Sequence, residues 1–331
     1  MDEHGDRSAT PAMDQEMSDH GEQPATPVTG PAPGDRGDRP AAPVVDPATE
    51  AFLAHRNLLF TVAYEMLGSA ADAEDALQET WLSWMRVDLG EVRDRRAYLV
   101  RVATRQALKR LRTLDRRRES YVGPWLPEPL LTTPDVAEDV ELADSVSMAM
   151  LLVLETLTPV ERAVFVLRDV FDLPYDEIAE AVGKSQAAVR QIAHRARSHV
   201  AARRPRGPVS PAETRGVIEA FRRAAETGDV QGLLDLLAPD VVLLTDGGGV
   251  VRAGLKPVVG AGAVAGVLRG VAGAALEPVL VNGHPGLVLR LGGRTDTVVA
   301  VRVEDGLITG LYAVRNPEKL AHMEREITVS R

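Results

Sequence analysis

The sequence predicts two architectures in tandem. The first is all-α, a helical bundle followed by a helix-turn-helix. The second is an α+β domain with helices packed on a curved sheet. Three observations carry this prediction. Up to Arg204 the apolar residues recur at helical spacing. Within that half, Thr158–Arg204 reads as helix, short glycine turn and a second helix that is polar and basic outside. Beyond Pro211, two helices are followed by valine-rich runs separated by Asn-Gly, Gly-Gly and Asp-Gly turns.

Composition bounds what such a chain can do. Its 331 residues suffice for two or three domains, and 45% hydrophobic content supports sizeable cores. No run of about 18 apolar residues is present, so no membrane span is expected. The acidic start, Met1-Asp2-Glu3-His4, lacks the apolar segment of a signal peptide. With no cysteine, disulfides and thiolate metal sites are excluded, which fits a reducing cytoplasm. The net charge of −10 looks wrong for a polyanion binder, but residues 1–50 hold eleven acids against three bases. They account for −8 of it, and local patches decide nucleic-acid binding. Residues 1–48, rich in Pro, Gly, Asp and Ala, are expected to be a disordered acidic tail.

Residues 49–119 form a first helical unit. Phe52, Leu53, Leu58, Leu59, Val62, Ala63 and Met66 make one stripe on a helix from Ala51 to Gly68. Ser69 caps a second helix to Arg86, whose acids Asp72, Glu74, Asp75 and Glu79 gather in its first turns and favour its dipole. That is either a well-capped amphipathic helix or a docking face for a basic partner. After a loop, Val87–Arg96, a third helix runs from Ala97 to about Glu119. From Arg93 to Arg118 eleven bases face two acids, Asp94 and Asp115, and like charges three or four apart repel. A solvated face would leave that repulsion standing; a polyanion along the helix resolves it.

Residues 120–141 read as a linker, extended and semi-rigid where Trp125-Leu126-Pro127-Glu128-Pro129-Leu130 carries its prolines. It turns acidic toward Asp144. Residues 142–204 form a second helical unit, opening with a helix from Leu142 to Leu157. Thr158, Pro159 and Glu161 then make a capping box with proline at the first helical position. A short helix from Pro174 or Tyr175 buries Ile178, Ala179 and Val182 and ends at Gly183. Ser185 caps the next, which turns Val189, Ile192, Ala196 and Val200 inward. Gln186, Arg190, Gln191, His194, Arg195 and Arg197 face out. A solvated hairpin is the bland reading of this pair. Turn, cap and basic face together favour a recognition helix in a major groove, with Gln and Arg on base edges.

Residues 205–211 are a second breaker-rich joint before the last domain, 212–331. Helices are expected over Ala212–Thr227 and Val230–Leu237, a strand over Val241–Thr245, and a Gly/Ala-rich helix over Val258–Val271. Strands follow at Leu276–Val281, Gly286–Leu291, Thr297–Val303 and Leu307–Val314, paired as antiparallel hairpins, then a charged helical tail.

Residues 51–204 resemble an extracytoplasmic-function (ECF) sigma factor. Asp72-Ala73-Glu74-Asp75-Ala76-Leu77-Gln78-Glu79-Thr80-Trp81 and the basic Tyr98–Arg118 helix match its region two. Leu157-Thr158-Pro159-Val160-Glu161-Arg162 and the helix-turn-helix match region four. The resemblance implies that Asp72, Asp75, Gln78, Glu79 and Trp81 dock on the coiled coil of the largest RNA polymerase subunit. It implies that Arg93, Arg95, Arg96, Tyr98, Arg101, Arg105, Lys109 and Arg112 bind the promoter minus-ten element, part of it as a flipped base and a melted strand. Lys184, Ser185, Gln186, Arg190, Gln191, His194 and Arg195 are implied to read the minus-thirty-five element.

The last domain resembles a SnoaL-like cone, which one ECF subgroup carries in place of a separate anti-sigma factor. The linker motif, Asp246-Gly247-Gly248-Gly249 and Asn316-Pro317-Glu318-Lys319-Leu320 are that subgroup's signatures; Val250 stands where it has Lys. The resemblance implies a regulatory interface of Trp125, Leu126, Pro127, Asp246, Gly247, Gly248, Gly249, Asn316, Pro317 and Lys319, and a terminal tail needed for activity. No cofactor, metal or membrane partner is expected.

Two other readings stand beside it. A one-component helix-turn-helix regulator with a ligand-sensing domain, its small molecule unidentified, explains the second half but leaves the Arg93–Arg118 helix idle. An enzyme with an apolar pocket would draw on Asp246, Asp296, His284 and Tyr312 as acid or base. Asp246 before three glycines, and His284 between Gly283 and Pro285, read more simply as turn residues.

Overall fold

In the computed structural model, local signals decide where each helix starts and stops. The structure describes residues 46–203, 211–323 and 326–330. The expected acidic tail, to residue 45, and the joint 205–211, to residue 210, lie outside them. Helix α1 (Pro47–Leu67) is capped by Asp46, whose carboxylate accepts from Thr49 N at 3.3 Å, and it closes at Gly68. Ser69 caps α2 (Ala70–Trp84), accepting from Asp72 N at 3.1 Å. A loop with one 3-10 turn leads into the basic α3 (Arg95–Arg118).

The next stretch departs from the expected extended linker. After the proline-rich motif it holds a two-residue strand, β1 (Leu131–Thr132), and two short helices, α4 (Pro134–Glu138) and α5 (Val140–Val146). The helix expected from Leu142 to Leu157 is two helices, because Ser147 caps a new one, α6 (Met148–Glu155), accepting from Met150 N at 3.1 Å. Thr158 and Glu161 form the capping box that opens α7 (Pro159–Phe165), which continues as a π turn over Val166–Val170. Then come α8 (Tyr175–Val182) and α9 (Gln186–Ala201). Gly183 between them has φ 67°, a left-handed conformation that an L side chain resists.

One apolar core joins all of this. It runs from Leu59, Val62 and Met66 on α1 through Leu99 and Ala103 on α3 to Val164 on α7, Ile178 on α8 and Ile192 on α9.

The rest of the described chain is α+β. Helices α10 (Pro211–Thr227) and α11 (Val230–Leu236) precede β2 (Leu237–Asp246). A short β3 (Val258–Val259) and α12 (Ala261–Leu268) replace the single helix expected over Val258–Val271. The strands β4 (Leu276–Val281), β5 (His284–Leu291), β6 (Arg294–Glu304) and β7 (Leu307–Val314) pair antiparallel in sequence order. A one-turn α13 (Pro317–Leu320) follows. The expected helical tail is instead a strand, β8 (Glu326–Ile327).

The sheet has the order β3-β2-β7-β6-β5-β4-β1-β8. Register shifts in β2, β5 and β6 bend it, as bulges do. Side chains alternate across its faces. Leu287, Leu289, Val301 and Val303 meet Ile218, Phe221 and Val264 of α10 and α12 on one face. Val288, Val298 and Ala300 meet Leu126 of the linker and Met148 of α6 on the other. Segments from the first half therefore form the lid on the second half's sheet; β1 joins that sheet between β4 and β8, and β3 and β8 are its two edges. Val329, just beyond β8, is buried in the helical core, and Ser330 N donates to Thr61 Oγ1 at 3.0 Å.

Candidate functional site

Helix α9 presents one polar face. Ser185 fixes its entry, accepting from Ala188 N at 3.3 Å. Lys184, Ser185, Gln186, Arg190, Gln191, His194 and Arg195 are all exposed, with Val189, Ile192, Ala193 and Ala196 buried behind them. Arg190, Gln191, His194 and Arg195 border one shallow depression. The Arg190 guanidinium lies 5.6 Å from the centre of the Tyr175 ring, which steadies it against α8. Amide, imidazole and guanidinium donors in a row on one helix suit base edges in a major groove.

The predicted minus-ten residues divide into two groups. Arg93, Arg95, Lys109 and Arg112 are exposed. Arg96 and Tyr98 are half-buried; Tyr98 leans on Trp84 with ring centres 5.6 Å apart, and Arg101 lies 5.0 Å from its centre. A groove of about 660 Å³ runs here between the loop Arg86–Asp94 and α3. Its far wall is α8, through Glu177 and Glu180. Arg101 forms an ion pair with Glu180, and Arg105 Nη2 donates to the Glu180 carbonyl at 2.8 Å. Burial, with Asp94 and Asp176 close by, pushes the Glu177 carboxyl up.

On α2, Gln78 and Glu79 are exposed and Trp81 packs edge-on against Phe52, ring centres 5.0 Å apart. A groove of about 420 Å³ between α1 and α2 includes Leu53, Asp75, Gln78 and Trp81. Asp72 and Asp75 both meet Arg110 of α3, Asp72 at 2.5 Å, so part of the predicted docking charge is already paired within the bundle.

The residues expected at a regulatory interface converge on one buried carboxylate. Asp246, at the end of β2, is fully buried rather than an exposed turn residue. Its Oδ1 accepts from Tyr121 Oη at 2.6 Å and Gly248 N at 3.0 Å; its Oδ2 accepts from Leu126 N and Lys319 Nζ, both at 2.8 Å. Lys319 also donates to the Leu126 carbonyl at 2.5 Å. Burial holds its ammonium down, to about 8, against the opposing pull of Asp246. Gly248 (φ 61°) packs against Asn316, whose Nδ2 donates to Tyr121 Oη at 2.9 Å. Pro317 starts the turn that carries Lys319, and Gly247 and Pro127 are buried. The Trp125 ring has the Lys319 ammonium 4.0 Å and the Arg118 guanidinium 3.8 Å from its centre. Val250 is exposed, so the cation beside Asp246 comes from Lys319.

Sequence reasoning missed several partners. Glu128 reaches the start of α2, where its carboxylate accepts from Ser69 Oγ at 2.8 Å and Ala71 N at 3.1 Å; burial raises its pKa. Its carbonyl accepts from Tyr64 Oη at 2.6 Å. Asn282, expected only as a turn residue, accepts from Leu130 N at 3.0 Å and donates to Tyr64 Oη and the Val146 carbonyl. An Asn in a turn, or a Glu between prolines, signals none of this locally. The suggested acid-base residues are engaged elsewhere: Asp296 pairs with Arg315 at 3.0 Å, and His284, the first residue of β5 rather than a free turn, lies 3.2 Å from the Ala143 carbonyl. Tyr312 is buried in the sheet.

Two basic faces on separate helices of one chain, together with a partly apolar groove between α1 and α2, are the features expected of a sigma-70-type subunit. The Sigma-70 region 2 model matches residues 51–117, and the Sigma-70, region 4 model matches residues 147–200. The chain is 36% identical over 287 residues to the ECF RNA polymerase sigma factor SigJ of Mycobacterium tuberculosis (strain ATCC 25618 / H37Rv), across 81% of this chain and 91% of that relative. It is 35% identical over 283 residues to the probable ECF RNA polymerase sigma factor SigI of strain CDC 1551 / Oshkosh, across 84% and 96%. The crystal structure of M. tuberculosis SigJ matches with a TM-score of 0.67 at 34% identity, covering 82% of this chain and 98% of that one. The chain belongs to the ECF RNA polymerase sigma factor family, with a SnoaL-like α+β domain fused behind region four. Among the described residues no helix is long and apolar enough to cross a membrane.

Proposed function

We propose that this sigma factor docks on core RNA polymerase through α2 and the groove beside it, binds the melted minus-ten strand along α3 and the preceding loop, and reads the minus-thirty-five element with α9. The observation that carries the reading is the pair of basic faces on α3 and α9, each backed by a buried apolar side and bordered by a groove or depression. Promoter binding by both faces employs the exposed cations of α3 that a single-site repressor would leave idle.

The fused domain acts as a holder. Asp246 spends both carboxylate oxygens on the linker, Gly248 and Lys319, which supports a role in fixing the linker rather than in proton transfer. Its effect on transcription is exerted through the linker and α2, and the protein works in the cytoplasm with polymerase. The test is transcription by core polymerase with this chain as the sole sigma subunit, followed by promoter mapping. Initiation at a defined start is expected from the full chain, and a changed level after removal of residues 205–331. Failure of active core to initiate on any promoter with this subunit refutes the reading.

A further inference from the structure

We propose that Tyr175 is a positioning residue for the minus-thirty-five contact: its ring, buttressed by Arg168, presets the Arg190 guanidinium as the group of α9 that reads a base. The proposal rests on the reading of α9 as the recognition helix. Tyr175 lies outside the residues that the sequence points to for that contact.

Tyr175 opens α8 and is half-buried, with its ring packed on the edge of the helical core. Two guanidinium groups meet that ring. Arg168, from the π turn after α7, lies 5.0 Å from the ring centre, and Arg190 of α9 lies 5.6 Å from it. Arg168 is itself tied down: its Nη1 donates to the Leu173 carbonyl at 2.9 Å and pairs with Asp172 at 2.9 Å. The chain of contacts therefore runs from the turn at Asp172 and Leu173 through Arg168 and Tyr175 to Arg190. Arg197 of α9 pairs with Asp169 at 2.5 Å, and Asp169 and the Tyr175 hydroxyl both favour its charged form.

Arg190 is singled out by this arrangement. Among the described residues no carboxylate pairs with it. Of the cations on the predicted reading face, Lys184, Arg190 and Arg195, it alone lies over an aromatic ring among the described residues. A cation that only neutralises phosphate can be mobile, because a point charge needs little orientation. A guanidinium reading a base edge must present its donors in one plane, and the rotamer freedom it loses on docking weakens the contact. Stacking on Tyr175 removes part of that loss before the promoter arrives.

For the test, holoenzyme made from core polymerase and the full chain selects duplexes from a library randomised over the minus-thirty-five region. Discrimination at each position is then measured by competition. Arg190→Ala is expected to lower discrimination at one position by about tenfold. Tyr175→Leu, which keeps an apolar group against the core, is expected to lower it at that same position by about two- to fivefold. The other positions, the affinity for a scrambled duplex and the salt slope stay unchanged, because no phosphate contact is lost. Tyr175→Phe keeps the ring and is expected to keep the discrimination. In the Arg190→Ala background, Tyr175→Leu should add nothing. Undiminished discrimination in Tyr175→Leu, while Arg190→Ala flattens its position, overturns the proposal and leaves the recognition helix standing. A loss spread evenly over all positions, or Tyr175→Phe as poor as Tyr175→Leu, overturns it equally. If Arg190→Ala flattens no position, the reading of α9 fails and the proposal with it. A second readout is heteronuclear NMR relaxation at Arg190 Nε in the full chain without DNA. That group is expected to be restrained in wild type and Tyr175→Phe and mobile in Tyr175→Leu; equal mobility in all three overturns the preset guanidinium.

Discussion

Replacing Asp246 by Asn keeps the shape of the buried carboxylate and removes its charge. The remaining Oδ1 still accepts from Tyr121 and Gly248, but the new NH₂ faces the Leu126 amide and the Lys319 ammonium, which are both donors. Lys319 is then a buried cation without its anion. Removing one partner of such a pair costs about 3–5 kcal/mol. The stranded Leu126 amide adds about 1–3 kcal/mol if it finds no water. These overlap, because both are relieved by the same local opening, so about 3–5 kcal/mol is the expected total. The assay is the urea midpoint followed by tryptophan fluorescence, with hydrogen exchange at Leu126 as the local probe. The double variant Asp246→Asn/Lys319→Met removes both charges and should cost less than the sum of the single changes by about 1–3 kcal/mol. A loss under about 1 kcal/mol for Asp246→Asn, or strict additivity in the cycle, refutes the view that this pair holds the linker.

The same structure makes four further predictions. Glu128→Ala removes the carboxylate from the start of α2 and should cost about 1 kcal/mol, with faster amide exchange at Ala71 and weaker binding to core polymerase. Ending the chain at Met323 deletes β8 and the buried Val329; about 1.5–3 kcal/mol is lost with that side chain, and protease cleavage should rise near Leu131. Lys319 titrates at about 8 in the folded chain against 10.5 when free, so from about pH 8 upward the unfolded state holds more protons and stability rises with pH. Lys319→Met should lack that rise, seen as a shallower slope of unfolding free energy between pH 8 and 10. Arg190→Ala should relax sequence preference at one minus-thirty-five position by about 1–3 kcal/mol in promoter competition, and unchanged preference would misplace the recognition helix.

Local chemistry was readable and long-range burial was not. Gly68, Ser69, the Thr158–Glu161 box, Gly183 and Ser185 act within a turn of themselves, and each lies at the predicted element boundary. The single helix expected over Leu142–Leu157 failed because an apolar pattern outweighed Ser147, which caps equally well in the middle of it. Charge pattern marked α3 and α9 as basic faces. Whether such a face is open depends on Glu180, 79 residues from Arg101 in the chain, and no local pattern reports that. Asp246 shows the same limit. Followed by glycines, it resembles any turn acid. Its burial depends on Leu126, 120 residues before it, and Lys319, 73 residues after. The sigma regions were legible through resemblance, while the contacts of Asp246 with Leu126 and Lys319 required the fold.

The seating of the linker against the far end of the chain has a consequence for biogenesis. Leu126 and Lys319 lie 193 residues apart, and β1 needs β4 and β8 as neighbours. At about 5–20 residues per second, translation needs roughly 10–40 s to pass from one to the other. In the later part of that interval α1 to α9 have been made, while Asp246, Asn282 and Lys319 do not all yet exist. Every new molecule therefore begins life unclamped, and premature termination or a proteolytic nick before Lys319 leaves it permanently in that juvenile form.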